Sequence, residues 1–387
     1  MAKHRRPVLA IAARTFRTRR FGEQTSFLRG IIAIARKHGM DGYVFGPGDV
    51  DWANERVRGW TPGAGGWRRR WHRFPDVVYD RAWGLGPEGK RRLSETLARF
   101  EKRGIPHFNP DFGDKLEVYE LLRHIDAVAG HLPETRLLTP QNLEDLAARH
   151  PRVYVKPARG RQGKGISVCR RLGKAWVWRS SGGSGGRSKR FQSTQDLIKA
   201  CETREKSERF LIQQGLDLVK LRGGAVDIRV IVQRNRLGQW TVSAIGVRAG
   251  RRGGLVSNLH AGGRALGLAQ LAKGARLKRS LPRIRRDVVS LALSAAEAMS
   301  QHHPTLGELG IDIGLDVKGG VWIIEINRQP GRALFSRAGL RRSWRRTRRR
   351  VVEFAKFLAA HGASFPGAVT EGPKPEEPAL FELAARS

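Results

Sequence analysis

The sequence predicts an α+β protein of two or three domains, and three observations carry that prediction. The first 110 residues alternate short apolar strands with amphipathic helices, a βαβ rhythm in which helices pack on a small sheet. From residue 152 onward, alternating strands come in pairs joined by glycine-containing turns, which is the pattern of hairpins. Length supplies the third observation: 387 residues exceed what one ordinary core organises, and 40% hydrophobic content is enough to build more than one.

Taken in order, "PVLAIAAR" is the first strand; its apolar run is too short for a signal-peptide core, and no small-residue cleavage site follows. "SFLRGIIAIARKHG" is an amphipathic helix ending at Gly39, followed by the strands "DGYVFGP" and "PDVVYDRAW", the helix "GKRRLSETLARFEKRG" and then "IPHFNP". These make an N-terminal α/β domain, residues 1–110. A second domain, 111–361, opens with the helix-rich pieces "DKLEVYELLRHI", "HLPETRLLT" and "NLEDLAARHP". Its strands are "RVYVKPA", "GISVCRR", "ERFLIQQGLDL", "GAVDIRVIVQRN" and "QWTVSAIGVRAG", with the Ser/Gly segment 180–190 expected as a loop. "RDVVSLALSAAEAMSQHH" is a long helix, and an Arg-rich helix runs to about 361. The Pro- and Glu-rich stretch 362–387 is expected to be a loose tail.

The formal net charge is +38, concentrated at 68–73, 276–286 and 341–350. Such a field attracts polyanions. Arginine replacing lysine on solvated helix faces accounts for the same composition, and the basic runs carry no zinc-finger, RRM or KH signature, so nucleic acid has no motif behind it. No stretch approaches the ~20 apolar residues of a membrane span. The expected compartment is the cytoplasm. Cys169 and Cys201 have no metal spacing and read as two thiols.

"GIDIGLDVKGGVWIIEINRQPGR" (310–332) has the alternation of a buried hairpin, yet contains Asp312, Asp316, Glu325 and Asn327. With Lys318–Gly319 as a two-residue turn, Asp312 falls opposite Glu325 and Asp316 opposite Val321. One face then carries Ile311, Ile313, Leu315, Val317, Trp322, Ile324 and Ile326, and the other carries the polar side chains. Facing carboxylates repel unless a cation lies between them. With the Asn327 amide oxygen they form an all-oxygen set suited to Mg²⁺. Asp316 lies roughly 13 Å farther along the strand and belongs to the turn. A solvated polar face is the alternative reading of the same pattern.

In "YVKPARGRQGKGISV" (154–168), Lys156 closes one strand, and Gly160, Gly163 and Gly165 precede the next. Backbone N–H groups in such a loop can approach phosphate oxygens, and Lys156 adds a point charge. The spacing is not that of a Walker A motif, and a strand rather than a helix follows. His302 and His303 close a helix C-terminus, where positive charge is favourable.

Strand, glycine loop, strand, hinge strand and a hairpin ending in Glu-x-Asn together resemble the ATP-grasp superfamily, and within it the endospore coat-associated YheC/YheD family. The resemblance runs from "PDVVYDRAW" through "DKLEVYELL", "YVKPARGRQGKGI", "LIQQGLDL", "VDIRVIVQ" and "SNLHAGG" to the hairpin. It implies an ATP-grasp fold behind a pre-ATP-grasp domain, with a hinge near 211–217. Lys115 and Lys156 become the nucleotide-phosphate lysines, and Gly160, Gly163 and Gly165 the lid. Gln213, Gln214 and Leu216 would read adenine through hinge backbone, and Asp217 would face the ribose. Asp312, Glu325 and Asn327 would hold Mg²⁺; the carboxylate spacing is also similar to that of D-alanine–D-alanine ligase. Arg229 and Asn258 would face the γ-phosphate and the acceptor, with His260 as a further acceptor contact.

The implied activity is ATP-dependent ligation of a carboxylate to an amine or thiol through an acyl phosphate, with ATP and Mg²⁺ as cofactors and both substrates unspecified. The family name also implies a different role, a coat-associated binding or structural protein with a nucleotide site and no turnover. In that case the basic C-terminal helix is a candidate dock for an acidic polymer or coat component.

Overall fold

The computed structural model describes residues 5–15, 21–160, 163–180, 188–205, 209–255, 257, 259, 262–275 and 277–362. Three sheets follow one another along the chain. The first comprises β1 (Val8–Ala12), β2 (Asp41–Phe45), β3 (Val50–Asp51), β4 (Arg56–Gly63), β5 (Gly66–Arg73), β6 (Val77–Asp80) and β7 (His107–Phe108). Its strands β2, β1, β6 and β7 run parallel, as expected when helices cover a sheet. Helices α1 (Thr25–Lys37) and α2 (Pro87–Glu101) are the crossovers. In α1, the buried residues Phe27, Leu28, Ile31, Ile32 and Ala35 recur at helical spacing. Gly39 follows in the left-handed region, a conformation that glycine adopts without penalty.

The antiparallel ribbon β4–β5 has no counterpart in the sequence-based expectation. Its second strand, "GWRRRWHR", reads there only as a basic run.

The second sheet contains β8 (Thr135–Leu137), β9 (Arg152–Pro157), β10 (Ser167–Leu172), β11 (Ala175–Ser180), β12 (Ser188–Phe191) and β13 (Phe210–Gln214), the part of the chain the resemblance reads as the lid. Helices α3 (Lys115–Leu122), α4 (Asp126–Ala129), α5 (Pro140–Arg149) and α6 (Thr194–Glu205) accompany it. Two expectations are corrected here. "HLPETRLLT" is not part of a purely helical piece, because β8 pairs with β13. The segment 180–190 is not all loop: Ser188–Arg190 belong to β12, paired with β11, while 181–187 lie outside the described residues. Cys169 and Cys201 are buried thiols within this lobe's core.

The third sheet contains β14 (Lys220–Leu221), β15 (Gly224–Arg234), β16 (Trp240–Ala249), β17 (Arg264–Leu266), β18 (Glu308–Leu315) and β19 (Val321–Asn327), all antiparallel. Helices α7 (Leu268–Gly274) and α8 (Leu281–His302) pack on its apolar face, α7 through Leu271 and α8 through Ile284, Val288, Leu291 and Ala295. His303 is the C-cap of α8, as expected, and burial, with the neighbouring His302 adding to it, pushes its pKa below the ordinary value. After α9 (Ala333–Arg337), helix α10 (Arg341–His361) returns to the first sheet. Its Val351, Val352, Phe354, Ala355 and Leu358 share a core with Leu9, Ile11, Leu28 and Tyr79. No helix among the described residues is long and apolar enough to cross a membrane.

Candidate active site

The β18–β19 hairpin pairs Gly310 with Asn327, Ile311 with Ile326 and Asp312 with Glu325, as the alternation requires. Its tip differs from the expected two-residue turn. Asp316 N–H bonds the Gly320 carbonyl and Gly319 N–H bonds the Asp316 carbonyl, so Leu315 pairs with Val321 and Ile313 with Ile323. A bulge between the Ile313 and Asp312 pairs, at Ile324, absorbs the one-residue slip.

The slip exchanges side chains between faces. Val321 and Ile323 enter the core in place of Trp322 and Ile324, and Val317 is 41% exposed instead of buried. Asp316 is confirmed as a turn residue. Its carboxylate accepts from the Lys318 and Gly320 N–H groups at 2.8 Å each and from the Trp322 indole at 2.8 Å.

Across the sheet from this hairpin runs a ladder of charge. Arg248 on β16 pairs in register with Asp227 on β15, Arg229 on β15 with Asp312 on β18, and Asp312 with Glu325 on β19. Both oxygens of Asp312 are engaged: Arg229 binds the carboxylate in bidentate fashion, with Nη2 at 2.8 Å, and Arg248 Nη2 also lies 2.8 Å away. The Asn327 amide is 3.4 Å from it. Burial pushes the Asp312 pKa up, but the two guanidinium groups outweigh it and hold the acid below the ordinary carboxylate range. Burial raises Asp227 instead, reinforced by the Asp312 charge, although Arg248 and Ser257 donate to it. Arg229 is therefore a buried partner of Asp312 rather than a surface strand residue.

Gly310 is required where the ladder meets the loop after β19. A Cβ there would sit 2.4 Å from Pro330 and crowd the Arg229 guanidinium.

Lys115 and Lys156 approach from the lid side. Lys115 opens α3 after a capping box formed by Asp114 and Glu117; its Nζ lies 3.7 Å from Glu325 and 3.1 Å from the Gly160 carbonyl. Lys156 is buried on β9, donating at 3.0 Å to Gln213 Oε1, while the other end of that amide donates to Thr135. Burial lowers its pKa to about 8, with Lys115 adding to the fall and Glu325 opposing it. Gly163 and Gly165 both sit at positive φ in the connecting loop, and a Cβ on Gly160 would meet the Pro157 ring at 2.8 Å.

The hinge departs from expectation in one respect. Gln213 faces the site through its side chain rather than its backbone. The N–H of Gln214 is already bonded to the Glu134 carbonyl, and the Leu216 carbonyl to Arg152. Asp217 is 68% exposed and 3.7 Å from Arg152.

Asn258 and His260 lie outside the described residues. Ser257, which is described, bonds Asp227. Sequence reasoning missed Arg248 and Asp227. The available signal was a lone arginine in the otherwise uncharged strand "WTVSAIGVRA", where burial demands an acidic partner.

Asp312, Glu325 and Asn327 lie at the same end of the hairpin, with Glu325 partly open to solvent, both Asp312 oxygens held by Arg229 and Arg248, and the Asn327 amide nitrogen facing Asp312. Among the described residues no group of three His, Cys, Asp or Glu side chains is placed to hold a metal ion.

Two antiparallel sheets, with Lys115 and Glu325 3.7 Å apart between them, fit an ATP-grasp fold. Residues 104–358 match the family model described as YheC/D-like ATP-grasp, and the chain belongs to that family. It is 30% identical over 360 residues to endospore coat-associated protein YheD of Bacillus subtilis (strain 168), covering 91% of this chain and 78% of YheD. YheC of the same organism is 27% identical over 276 residues, covering 69% of this chain and 73% of YheC. Among solved structures, the ATP-grasp ligase PsnB complexed with minimal precursor, Mg and ADP has the same fold. Its TM-score is 0.51 at 15% identity, with 88% of this chain and 94% of that chain covered.

Proposed function

We propose that the protein is a Mg-ATP-dependent ligase that joins a carboxylate to an amine or thiol. The observation supporting this reading is the meeting of Lys115 and Lys156 from the lid with the Asp312–Glu325 pair from the central sheet. Mg-ATP, when bound, supplies the phosphoryl group: a substrate carboxylate oxygen takes the γ-phosphoryl as an acyl phosphate and ADP leaves, then the amine or thiol displaces phosphate.

The chain's task in that scheme is positioning and charge neutralisation. Lys156 and Lys115 hold phosphate oxygens, and the glycines admit the 160–165 loop close to them. Asp312, Glu325 and Asn327 take the cation. Arg229 and Arg248, which hold Asp312, would offer guanidinium N–H groups to the transferred phosphoryl group beside it. No nucleophilic serine or cysteine is required.

Purified protein should release ADP and phosphate in a screen of amino acids, short peptides and acidic polymers, and Glu325→Ala should abolish that release. Unchanged nucleotide affinity and turnover in Glu325→Ala would refute the site. The coat-associated names of the relatives favour a second reading, in which the nucleotide site binds without turnover. Saturable Mg-ADP binding with no ADP release across the screen would select it.

A further inference from the structure

Two arginines hold Asp312, and they reach it from different distances. The strand order β16–β15–β18 puts Arg229 on the strand next to Asp312 and Arg248 two strands away. Two strand spacings are roughly 9–10 Å, so the Arg248 side chain crosses the width of β15. Its Nη2 ends 2.8 Å from Asp312. A side chain of that length has many rotamers, and ordering it over such a span requires a fixed contact along the way.

Asp227 supplies that contact. It stands on β15 directly opposite Arg248, with one carboxylate oxygen 2.6 Å from Arg248 Nε. Its other oxygen accepts from the Ser257 hydroxyl. Arg248 is thereby fixed at two points of its guanidinium plane, Nε on Asp227 and Nη2 on Asp312. Among the described residues its Nη1 makes no hydrogen bond. Arg229 has no comparable brace, because its Nε and Nη2 both bond Asp312.

Asp227 is buried, so it does not meet a ligand itself and acts through the partners it holds. A buried ion pair that only tied two strands together could be exchanged for an apolar pair without loss of stability. This one controls the orientation of a guanidinium whose unbonded N–H edge lies beside the Asp312–Glu325 pair. A planar fork hydrogen-bonds well only in the right orientation. Misplacing such a group by about 1 Å can cost on the order of a hundredfold in rate.

We propose that Asp227 is a positioning residue: it braces Arg248 across β15 so that the unbonded N–H edge faces the transferred phosphoryl group, and Ser257 steadies Asp227 in turn. This assignment rests on the ligase reading, which brings that group to Arg248. It gives the two arginines different tasks. Arg248 is the fixed donor, while Arg229 is held by Asp312 alone.

The test compares calorimetric affinities of the full chain for Mg-AMP-PNP, which carries a γ-phosphoryl group, and Mg-ADP, which does not. Their ratio isolates contacts to that group and cancels changes in folding or in the rest of the nucleotide site. Arg248→Ala should lower the ratio about tenfold, the worth of one hydrogen bond to a charged group. Asp227→Ala should lower it comparably, and the double variant no further than Arg248→Ala alone. Asp227→Asn, which keeps an oxygen for Nε, should recover most of the loss. Additive losses in the double variant, no recovery in Asp227→Asn, or a wild-type ratio in Asp227→Ala beside a lowered one in Arg248→Ala overturn the proposal and spare the ligase reading. A wild-type ratio in Arg248→Ala defeats both. If circular dichroism shows Asp227→Ala unfolded, Ser257→Ala decides: a ratio lowered about threefold, one ordinary hydrogen bond, upholds the proposal and an unchanged ratio overturns it.

Discussion

Glu308 and Asp312 lie four residues apart on the same face of β18, both buried, both clasped by two arginines, yet their surroundings differ in kind. Glu308 is closed on every side. It accepts from the Tyr79 hydroxyl and Arg81 of the first sheet, from Gln233 at 3.0 Å on β15, and from Arg332 after β19. Asn109, the asparagine of "IPHFNP", completes this junction by bonding the N–H groups of Gly307 and Glu308 and the Arg328 carbonyl. Asp312 has Glu325 opposite it, whose carboxylate is partly exposed and lies 3.7 Å from Lys115.

A buried carboxylate whose partners are all fixed holds sheets together. One whose neighbour is a second, partly solvated carboxylate holds charge in reserve for a ligand. Asp316, four residues farther along the same face, does neither and shapes the turn.

The contrast breaks most visibly at Glu308. Glu308→Ala strands Arg81 and Arg332 in the interior and should cost about 3–5 kcal/mol of stability, read as a lowered urea midpoint or loss of soluble protein. If the midpoint moved by less than 1 kcal/mol (on the order of one ordinary hydrogen bond), Glu308 would not be the junction's anchor.

Glu325→Gln should do the reverse. Mg-ADP affinity should fall about a hundredfold, ~2.7 kcal/mol, while the urea midpoint stays within ~0.5 kcal/mol, because a partly exposed side chain loses little on neutralisation. Equal effects on stability and affinity would erase the distinction between the two clusters.

A third measurement tests the lid side. Lys156 titrates near 8, and bound phosphate favours its cationic form. Affinity is therefore full below that pH and declines as pH rises through it, because binding must then take up a proton. Mg-ADP affinity measured calorimetrically should drop about tenfold, ~1.4 kcal/mol, from pH ~7.5 to ~9.5. Lys156→Gln should be weaker throughout and lack that drop.

The smallest effect is expected at the turn. Trp322→Phe removes the indole bond to Asp316 and should cost ~1 kcal/mol in stability with nucleotide affinity unchanged.

Much of this site is legible along the chain, and particular residues show why. The Asp312–Glu325 pairing follows from strand alternation and survives even a misjudged turn, because a one-residue bulge restores it. Lys156 and its glycines are neighbours in one hairpin, so spacing alone brings them together. The Trp322 and Ile324 faces were not legible, since a bulge leaves no compositional mark. Nor was the β4–β5 ribbon, where Arg replaces the apolar half of the alternation. Hinge backbone groups drawn on from outside the hinge, such as the Leu216 carbonyl held by Arg152, were equally hidden.

By itself the sequence determined that Asp312 lies opposite Glu325, which long segments are strands and which are amphipathic helices, and which lysine and glycines form one loop. These depend on periods of 2 and 3.6 and on turn chemistry, interactions between residues close in the chain. Only the tertiary structure decided the partners of the charges. Sheet order sets Arg229 and Arg248 one and two strands from Asp312, and brings Tyr79 and Arg81 from the first sheet to Glu308. A buried charge requires a partner, but which residue supplies it depends on strand order in space, and that order is settled by packing across the whole chain.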